Sequence, residues 1–545
     1  MNLFDTSLDY LLKKPMGRQW SKVGAQRRAG ILTALSSIKS GKSLGVGEIM
    51  DLKLLIHWCV ITGNSIIQLL PLNEMRYFRN CPYSVINVFA IDPVYISLHE
   101  IASFASSDKV NQYLKQNKAH IEDLRSRKRV DFTAVRKVKL ELLKILFLEP
   151  YDKESFFAFQ KANRHWLDDY ALYVSLKEHH MHRPWFEWEK SYRERDKDTL
   201  NQYAQHHEEK LLFYKFVQWL LYQQLSKIKS YAREHKVYIM GDAPILLSRD
   251  SDAVWSKRKF FKRDYSVGYP PDMFNPDGQK WNLPPYNWET MEGDDYYWWK
   301  ARLKYAENFY DMLRLDHIPA FFRVFIIPAD DDNVRDGFYE PGDESQCRHQ
   351  GLKLLHMIIE STDMLLIGED LGVMPDCCRP VMDDLGIPGF KIERWERNYQ
   401  SDRSFIHPTH YHPVSVASFS THDHETLRGW WKNNPEDIIA YWNSLGHRGK
   451  PPPELNILLE EQIFNRLYEG ASIFVIPGLW DILSFIAGAL NKDPFDNRMN
   501  LPGTKGGINW TFRFNFFLEE MEGDRFIPFN RKLKEMIFKS NRLSS

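Results

Sequence analysis

Cysteine is scarce in this sequence. Five cysteines occur among 545 residues, and no two of them are spaced as Cys-x-x-Cys. A disulfide framework needs densely placed, paired cysteines, and a structural zinc site needs closely spaced ligands. We therefore expect free thiols in a reducing compartment and no structural metal. The five are Cys59, Cys81, Cys347, Cys377 and Cys378.

Long apolar runs and a surplus of either charge are also missing. No segment approaches the roughly 20 apolar residues that a membrane-spanning helix requires, and the N-terminal segment contains no apolar core of signal-peptide length. Lysine plus arginine and aspartate plus glutamate each total 72, so the formal net charge is zero. A neutral chain argues against nucleic acid or an anionic membrane as a partner. These absences predict a cytoplasmic protein.

Glycine is absent between Gly63 and Gly241. Within this gap, residues 100–225 are rich in charge, and apolar residues recur at helical spacing, as in 138–147. Residues 65–72 (SIIQLLPL) are predicted to form the second strand, and we predict a helical insertion subdomain over residues 100–225 after it. A chain of 545 residues can still form a single domain when insertions add to its length.

Aromatic residues are abundant by contrast. They make up 14% of the chain, with 17 tryptophans and 26 tyrosines. Such rings stack on the apolar faces of sugars, and their polar edges meet sugar hydroxyls. Ordinary core packing accounts for most of them, but the surplus favours a carbohydrate cleft.

An arginine and an aspartate lie two residues apart where the stretch 313–328 begins, in the order Leu313-Arg314-Leu315-Asp316. In a strand, residues i and i+2 point to the same face, so Arg314 and Asp316 project together. The guanidinium of Arg314 favours the ionised form of the Asp316 carboxylate. Nucleophilic attack on a sugar carbon requires this ionised form. The alternative interpretation is a structural ion pair, which is common in α/β proteins.

Two later runs also end in an acid. Residues 365–368 lead to Glu369, and the run 418–423 ends in Asp423. Buried strands that carry acids at their C-terminal ends are typical of a (β/α)8 barrel. The order Asp316, Glu369, Asp423 indicates retaining α-glycoside chemistry.

These stretches resemble those of the α-amylase clan, and more closely those of the 4-alpha-glucanotransferases, also called amylomaltases or disproportionating enzymes. The resemblance extends over about residues 25–520. It implies an α/β fold, a (β/α)8 TIM barrel with helical insertions and no C-terminal β-sandwich domain, in which the whole chain, 1–545, forms a single catalytic barrel. The further matching segments are 80–84 (NCPYS), 241–255 (GDAPILLSRDSDAVW), 270–288 (PPDMFNPDGQKWNLPPYNW), 498–504 (RMNLPGT) and 509–510 (NW).

The resemblance implies a role for each carboxylate. Asp316 is expected to be the nucleophile, Glu369 the general acid/base, and Asp423 the group that binds the 2- and 3-hydroxyls of the distorted sugar. Burial beside the like charge of Asp423 is expected to raise the pKa of Glu369. No metal and no cofactor are expected. The residues expected to contact substrate are Arg314, Tyr83, Ser84, Asp242, Asp272, Gln279, Trp281, His317, His422 and Asn500.

The implied activity is 4-alpha-glucan transfer by double displacement through a covalent glucosyl-enzyme. The expected partners are α-1,4-glucans: maltose, malto-oligosaccharides and glycogen-derived chains. Two alternatives remain open, namely a hydrolase of the same clan and a non-catalytic glucan-binding protein.

Three departures from the family pattern lie near the candidate site residues, and a fourth is Trp480, which replaces the family's usual glutamine before Asp481. The segment after His317 contains Pro319 and is similar to the plant cytosolic disproportionating enzyme, whereas the common bacterial pattern reads RIDHFRG. Asn282 stands where the family has glycine. His424 follows Asp423 where the family has asparagine or threonine. The roles of Pro319 and His424 are left open.

Overall fold

The computed structural model describes residues 8–77, 79–271, 276–331, 333–504 and 506–543. The strands of this part are β1 (Arg28–Thr33), β2 (Ile66–Leu69), β3 (Tyr238–Ala243), β4 (Tyr265–Tyr269), β5 (Gln279–Leu283), β6 (Met312–Leu315), β7 (Val324–Pro328), β8 (Phe338–Glu340), β9 (Leu365–Gly368), β10 (Gly389–Ile392), β11 (Ser415–Ser418) and β12 (Phe474–Val475).

Helices lie between most of these strands. They are α1 (Gly17–Val23), α2 (Leu52–Thr62), α3 (Asp108–Gln116), α4 (Lys118–Ser126), α5 (Phe132–Phe147), α6 (Lys153–His179), α7 (Lys190–Arg193), α8 (Lys197–His206), α9 (Glu208–Glu234), α10 (Asp252–Ser256), α11 (Trp288–Glu292), α12 (Tyr297–Ala306), α13 (Glu344–Ser361), α14 (Cys378–Leu385), α15 (Leu427–Asn433), α16 (Pro435–Ser444), α17 (Ile457–Glu469), α18 (Leu479–Ile482) and α19 (Ile527–Lys539). None of these helices is both long and apolar enough to cross a membrane.

Eight parallel strands form the central sheet, in the order β10-β11-β12-β1-β2-β3-β6-β9. The two end strands meet through a hydrogen bond from the Gly368 N–H to the Pro388 carbonyl at 2.9 Å, so the sheet closes into a ring. The predicted (β/α)8 barrel is confirmed. The carboxyl ends of all eight strands therefore open onto one face, where barrels of this class carry their chemistry.

The barrel strands are short and apolar because helices cover the outside and side chains fill the inside. All residues of β1, β2, β6, β9 and β11 are buried. Gly241 in β3 lies against the ring of Tyr310, which a β-carbon at this position would meet at 2.5 Å. One correction concerns the run before Asp423: the strand is Ser415–Ser418, and 419–423 follow it as a loop.

Helices α3 to α9 separate β2 from β3, in keeping with the predicted helical character of residues 100–225. The two longest, α6 and α9, have 27 residues each and pack against each other. Helix α9 continues to Glu234 and also contacts β3, so the last turns of the helical segment belong to the barrel wall.

A second sheet was not predicted. It has four antiparallel strands in the order β5-β4-β7-β8 and is built from the connections after β3 and β6. Beyond β12, the described residues 476–504 and 506–543 contain no strand. Arg542 in this last part is fully buried and donates to the carbonyls of Tyr468, Gly470 and Ser472, which precede β12.

Candidate active site

One guanidinium links three carboxylates at the C-terminal end of β6. Nη1 of Arg314 lies 2.8 Å from both oxygens of Asp242 and 2.9 Å from Oδ1 of Asp316. Its Nη2 lies 3.8 Å from Oε2 of Glu369. Burial disfavours the charge, but Asp242 and its neighbours outweigh burial and raise the pKa of Arg314 well above its ordinary value. The cation is therefore permanent and orients both candidate catalytic acids.

The two-residue period of a strand places Arg314 and Asp316 on one side, as predicted. Leu313 and Leu315 alternate with them and are buried. Strand β6 pairs with β3 so that Asp242 stands opposite Arg314, and the Asp316 N–H continues the ladder to the Ala243 carbonyl. The Asp316 side chain remains 25% exposed and so is open to a substrate.

Glu369 follows β9 and is held by backbone donors. The His317 N–H donates to Oε2 at 2.8 Å, and the Leu371 N–H donates to Oε1 at 3.0 Å. His317 itself has the left-handed dihedral φ +44°. Burial raises the pKa of Glu369 to about 8; Asp316 adds to the rise, and Arg314 opposes it. The like charge is that of Asp316, which corrects the expectation that Asp423 supplies it.

Asp423 lies in the loop after β11, and its side chain is 44% exposed. Asn500 Nδ2 donates to Oδ1 at 2.7 Å, and Nε2 of His422 lies 3.3 Å from Oδ2. Burial raises the pKa of Asp423, but the attraction of His422 and the hydrogen bonds of His422 and Asn500 outweigh it, so the pKa lies below its usual range. Asp423 is thus an ionised acceptor facing the cleft.

Tyr83 contacts both Asp242, which pairs with Arg314, and His422, which pairs with Asp423. Its hydroxyl donates to Oδ2 of Asp242 at 2.7 Å, and its ring stacks on His422 with centroids 5.1 Å apart. Burial and the adjacent Asp242 raise the pKa of Tyr83 well above its ordinary value, so the hydroxyl remains a donor. Ser84 beside it is held through its backbone, with its carbonyl accepting from the Arg76 N–H at 3.1 Å.

Strand β5 of the second sheet carries two further predicted residues. Trp281 Nε1 donates to Oε1 of Gln279 at 2.8 Å, and the Trp281 ring lies edge-on to His317 at 5.5 Å. The small sheet therefore brings an aromatic side chain next to His317. Asp272 lies outside the described residues. The other predicted site residues, apart from Ser84, are linked to one another by hydrogen bonds, ion pairs or ring contacts.

The three departures from the family pattern have local explanations. Asn282 lies within β5, where the register against β4 shifts, and adopts φ +59°, a left-handed conformation that asparagine tolerates better than most residues. Pro319 lies in the buried 3-10 turn Ile318–Phe321, and its carbonyl accepts from two following N–H groups. His424 Nδ1 accepts a hydrogen bond from the Thr421 N–H at 3.0 Å. Burial lowers the pKa of His424 to about 3, so the ring is neutral and stabilises the loop beside Asp423.

Two aromatic residues at the site were not among the predicted contacts. Trp510 lies 5.8 Å from Tyr83 and 5.5 Å from His422, measured between ring centroids. The guanidinium of Arg314 lies 5.9 Å from the ring of Phe390, a residue of β10. The matched NW segment already contained Trp510, so a signal for that residue was present; Phe390 had none.

One group in the described part of the chain has metal-ligand composition: Glu344, Cys347 and Cys377. The two sulfurs are 3.6 Å apart. The carboxylate, however, already accepts the Cys377 N–H at 3.4 Å and pairs with Arg323 at 3.3 Å. These groups satisfy one another without an ion, and they do not touch the carboxylates of the site.

Comparison with known proteins shows the family of this chain. The family model of the 4-alpha-glucanotransferases matches residues 33–519. The chain belongs to this family. A 4-alpha-glucanotransferase of Chlamydia pneumoniae is 36% identical over 526 residues, which cover 94% of this chain and 96% of that protein.

The predicted likeness to the plant enzyme is confirmed as well. The 4-alpha-glucanotransferase DPE2 of Oryza sativa subsp. japonica is 26% identical over 670 residues, covering 95% of this chain and 70% of that protein. The chain is thus a glucan-transferring enzyme, as the sequence predicted.

Solved structures show the same architecture. The amylomaltase from Streptococcus agalactiae in complex with acarbose has a TM-score of 0.79 at 25% identity and covers 95% of this chain and 100% of its own. The amylomaltase from Corynebacterium glutamicum has a TM-score of 0.76 at 20% identity and covers 96% of this chain and 76% of its own; at this identity the likeness shows the shared fold.

Proposed function

We propose that this 4-alpha-glucanotransferase uses Asp316 as its nucleophile and Glu369 as its general acid/base. The observation that carries the proposal is that the buried guanidinium of Arg314 lies beside two carboxylates, those of Asp316 and Glu369, which differ in burial. Asp316 hydrogen-bonds Arg314 at 2.9 Å and is partly open to the cleft. Glu369 is more buried, and burial raises its pKa to about 8, so it holds a proton at neutral pH.

The reaction then proceeds in two balanced steps. An Asp316 oxygen attacks the anomeric carbon of an α-1,4-glucan, the glycosidic C–O bond breaks, and the Glu369 proton passes to the leaving 4-oxygen. In the second step, Glu369 takes the proton from the 4-hydroxyl of an acceptor glucan. That oxygen displaces Asp316 and restores the α-linkage. Retention predicts a carboxyl separation of about 5–5.5 Å in the active complex.

Asp423 is proposed to accept hydrogen bonds from the 2- and 3-hydroxyls of the sugar at the bond that breaks. Its low pKa and its exposure support this role. Arg314 and Asp242 are proposed to keep the nucleophile oriented, and Tyr83 to contact the sugar just before that bond. The remaining proposed sugar contacts are Ser84, Asp272, Gln279, Trp281, His317, His422 and Asn500.

The proposed substrates are linear α-1,4-glucans, from maltose to longer malto-oligosaccharides, with glycogen chains as further acceptors. Support comes from the acarbose complex of the Streptococcus agalactiae amylomaltase. We also propose that residues 1–545 form one catalytic domain, with 100–225 as a helical insertion subdomain. A cytoplasmic location is proposed because none of the five cysteines is in a disulfide.

The test is product analysis with pure maltotriose, comparing wild type with Asp316→Asn. We expect glucose and a ladder of longer oligosaccharides from wild type, and a rate at least about a thousandfold lower from the variant. Asp363→Asn is the control, because Asp363 precedes β9 whereas Glu369 follows it, and its carboxylate pairs with Arg18 and Lys22. Glucose and maltose without a ladder indicate a hydrolase. Binding without any product indicates a glucan-binding protein.

A further inference from the structure

Asp250 lies outside the catalytic cluster. Its carboxylate accepts hydrogen bonds from the helical insertion and from the loop after β2. Its side chain is 6% exposed. From α6, the Tyr173 hydroxyl donates to Oδ1 at 2.9 Å and Lys177 Nζ donates to Oδ2 at 2.8 Å. From the loop after β2, Arg76 Nη2 donates to Oδ2 at 3.2 Å. The Trp185 N–H, beyond the end of α6, adds a bond to Oδ1 at 3.2 Å.

Arg76 connects this carboxylate to the loop that carries Tyr83. The Arg76 N–H donates to the Ser84 carbonyl at 3.1 Å. The residue whose guanidinium reaches Asp250 therefore also holds the backbone beside Tyr83. The same loop is thus tied to α6 through one buried ion network.

Asp252, two residues after Asp250, hydrogen-bonds the part of this loop that follows Tyr83. The Asp252 N–H donates to the Ile86 carbonyl at 2.9 Å, and Asn87 Nδ2 donates to Oδ2 of Asp252 at 2.6 Å. The loop therefore contacts segment 250–252 both before Tyr83, through Arg76, and after it, through Ile86 and Asn87. Asp250 also contacts α6 and so connects the loop to the helical insertion.

We infer that Asp250 is a positioning residue for sugar binding, which makes the placement of Tyr83 depend on α6 of the helical insertion. The inference rests on the proposed role of Tyr83 as a sugar contact. The hydrogen-bond and ion-pair partners of Asp250 given above include none of the three candidate catalytic acids, so its effect passes through the loop. A displaced loop weakens substrate binding more than it slows the chemical step.

The test separates KM from kcat with maltotriose. In Asp250→Asn, an amide replaces a carboxylate that faces two cations, and we expect KM to rise roughly tenfold while kcat changes less than about threefold. Arg76→Met breaks only the link to the loop and leaves the α6 bonds intact, so it should give the same rise. This variant tests the inference even if Asp250→Asn folds poorly, because the Arg76 side chain is 31% exposed.

A double-mutant cycle with Tyr83→Ala completes the experiment. If Asp250 acts through Tyr83, then Asp250→Asn adds no further rise in KM to Tyr83→Ala. An equal rise in both backgrounds means a purely structural role and overturns the inference. An unchanged KM in Asp250→Asn and Arg76→Met, with a raised KM in Tyr83→Ala, overturns the inference alone. An unchanged KM in Tyr83→Ala overturns the proposed role of Tyr83 as well.

Asp311 provides the matched control. Its carboxylate is equally buried, with a side chain 4% exposed, and it accepts from Arg233 Nε at 2.7 Å and the Ile239 N–H at 3.1 Å. It precedes β6 and therefore lies at the opposite end of the barrel. Asp311→Asn should lower Tm and leave KM for maltotriose unchanged; a rise in its KM would show that loss of any buried charge affects binding and would overturn the inference.

Discussion

The raised pKa of Glu369 makes the enzyme sensitive to alkaline pH. The acid is buried, with a side chain 12% exposed, and its pKa lies near 8. Glycosyl transfer to Asp316 requires the protonated form, so activity is present below this pKa and is lost as pH rises through it. The protonated fraction falls from about 90% at pH 7 to about 10% at pH 9, so kcat/KM should fall about tenfold.

The assay is the initial rate of glucose release from maltotriose at low concentration, because kcat/KM reports groups of the free enzyme. An α-maltosyl fluoride donor is the matched comparison, since fluoride leaves without a proton from Glu369. Formation of the glycosyl-enzyme from this donor should show no loss between pH 7 and 9. Glu369→Gln should likewise react with the fluoride and fail with maltotriose.

Two results would refute this reasoning. The first is a kcat/KM for maltotriose that stays constant to pH 9, which would mean that Glu369 is not the acid or that its pKa is not raised to 8. The second is an equal alkaline loss with the fluoride donor, which would assign the titration to a group other than the proton donor.

Three further outcomes follow from single contacts. Asn500→Ala removes the 2.7 Å bond to Asp423, and kcat for maltotriose should fall about tenfold, with little change in Tm. Tyr83→Phe removes the hydroxyl that donates to buried Asp242, and urea denaturation should show a loss of about 1.5–3 kcal/mol in unfolding free energy. Asn282→Gly should leave stability within about 0.5 kcal/mol of wild type, whereas Asn282→Val should lose at least about 1 kcal/mol at φ +59°.

The placement of the candidate acids could be predicted from the sequence where local geometry decides it. Arg314 and Asp316 share a face because side chains in a strand alternate with period two. Glu369 directly follows an apolar strand that the sequence marks clearly. The barrel then brings these strand ends together, and no further information is needed.

Contacts between distant segments could not be predicted in the same way. Burial raises the pKa of Glu369, and the negative charge that adds to the rise is that of Asp316, because β6 and β9 are neighbours in the sheet while Asp423 follows β11. The second sheet could not be predicted in this way because β5, with the sequence QKWNL, has only two apolar residues and is nowhere fully buried. The neutral state of His424 likewise depends on burial that its neighbours in sequence do not indicate.

The closure of the barrel has a consequence for synthesis of the protein. Strand β1 pairs with β2, which follows closely, but also with β12, where Arg28 stands opposite Phe474. At about 5–20 residues per second, a ribosome needs roughly 20–90 s to make the roughly 450 residues between them. Throughout that time, one edge of a nascent apolar strand has no partner, which is the condition under which chains aggregate. Chaperones that shield strand edges should therefore affect the yield of this enzyme more than its final stability.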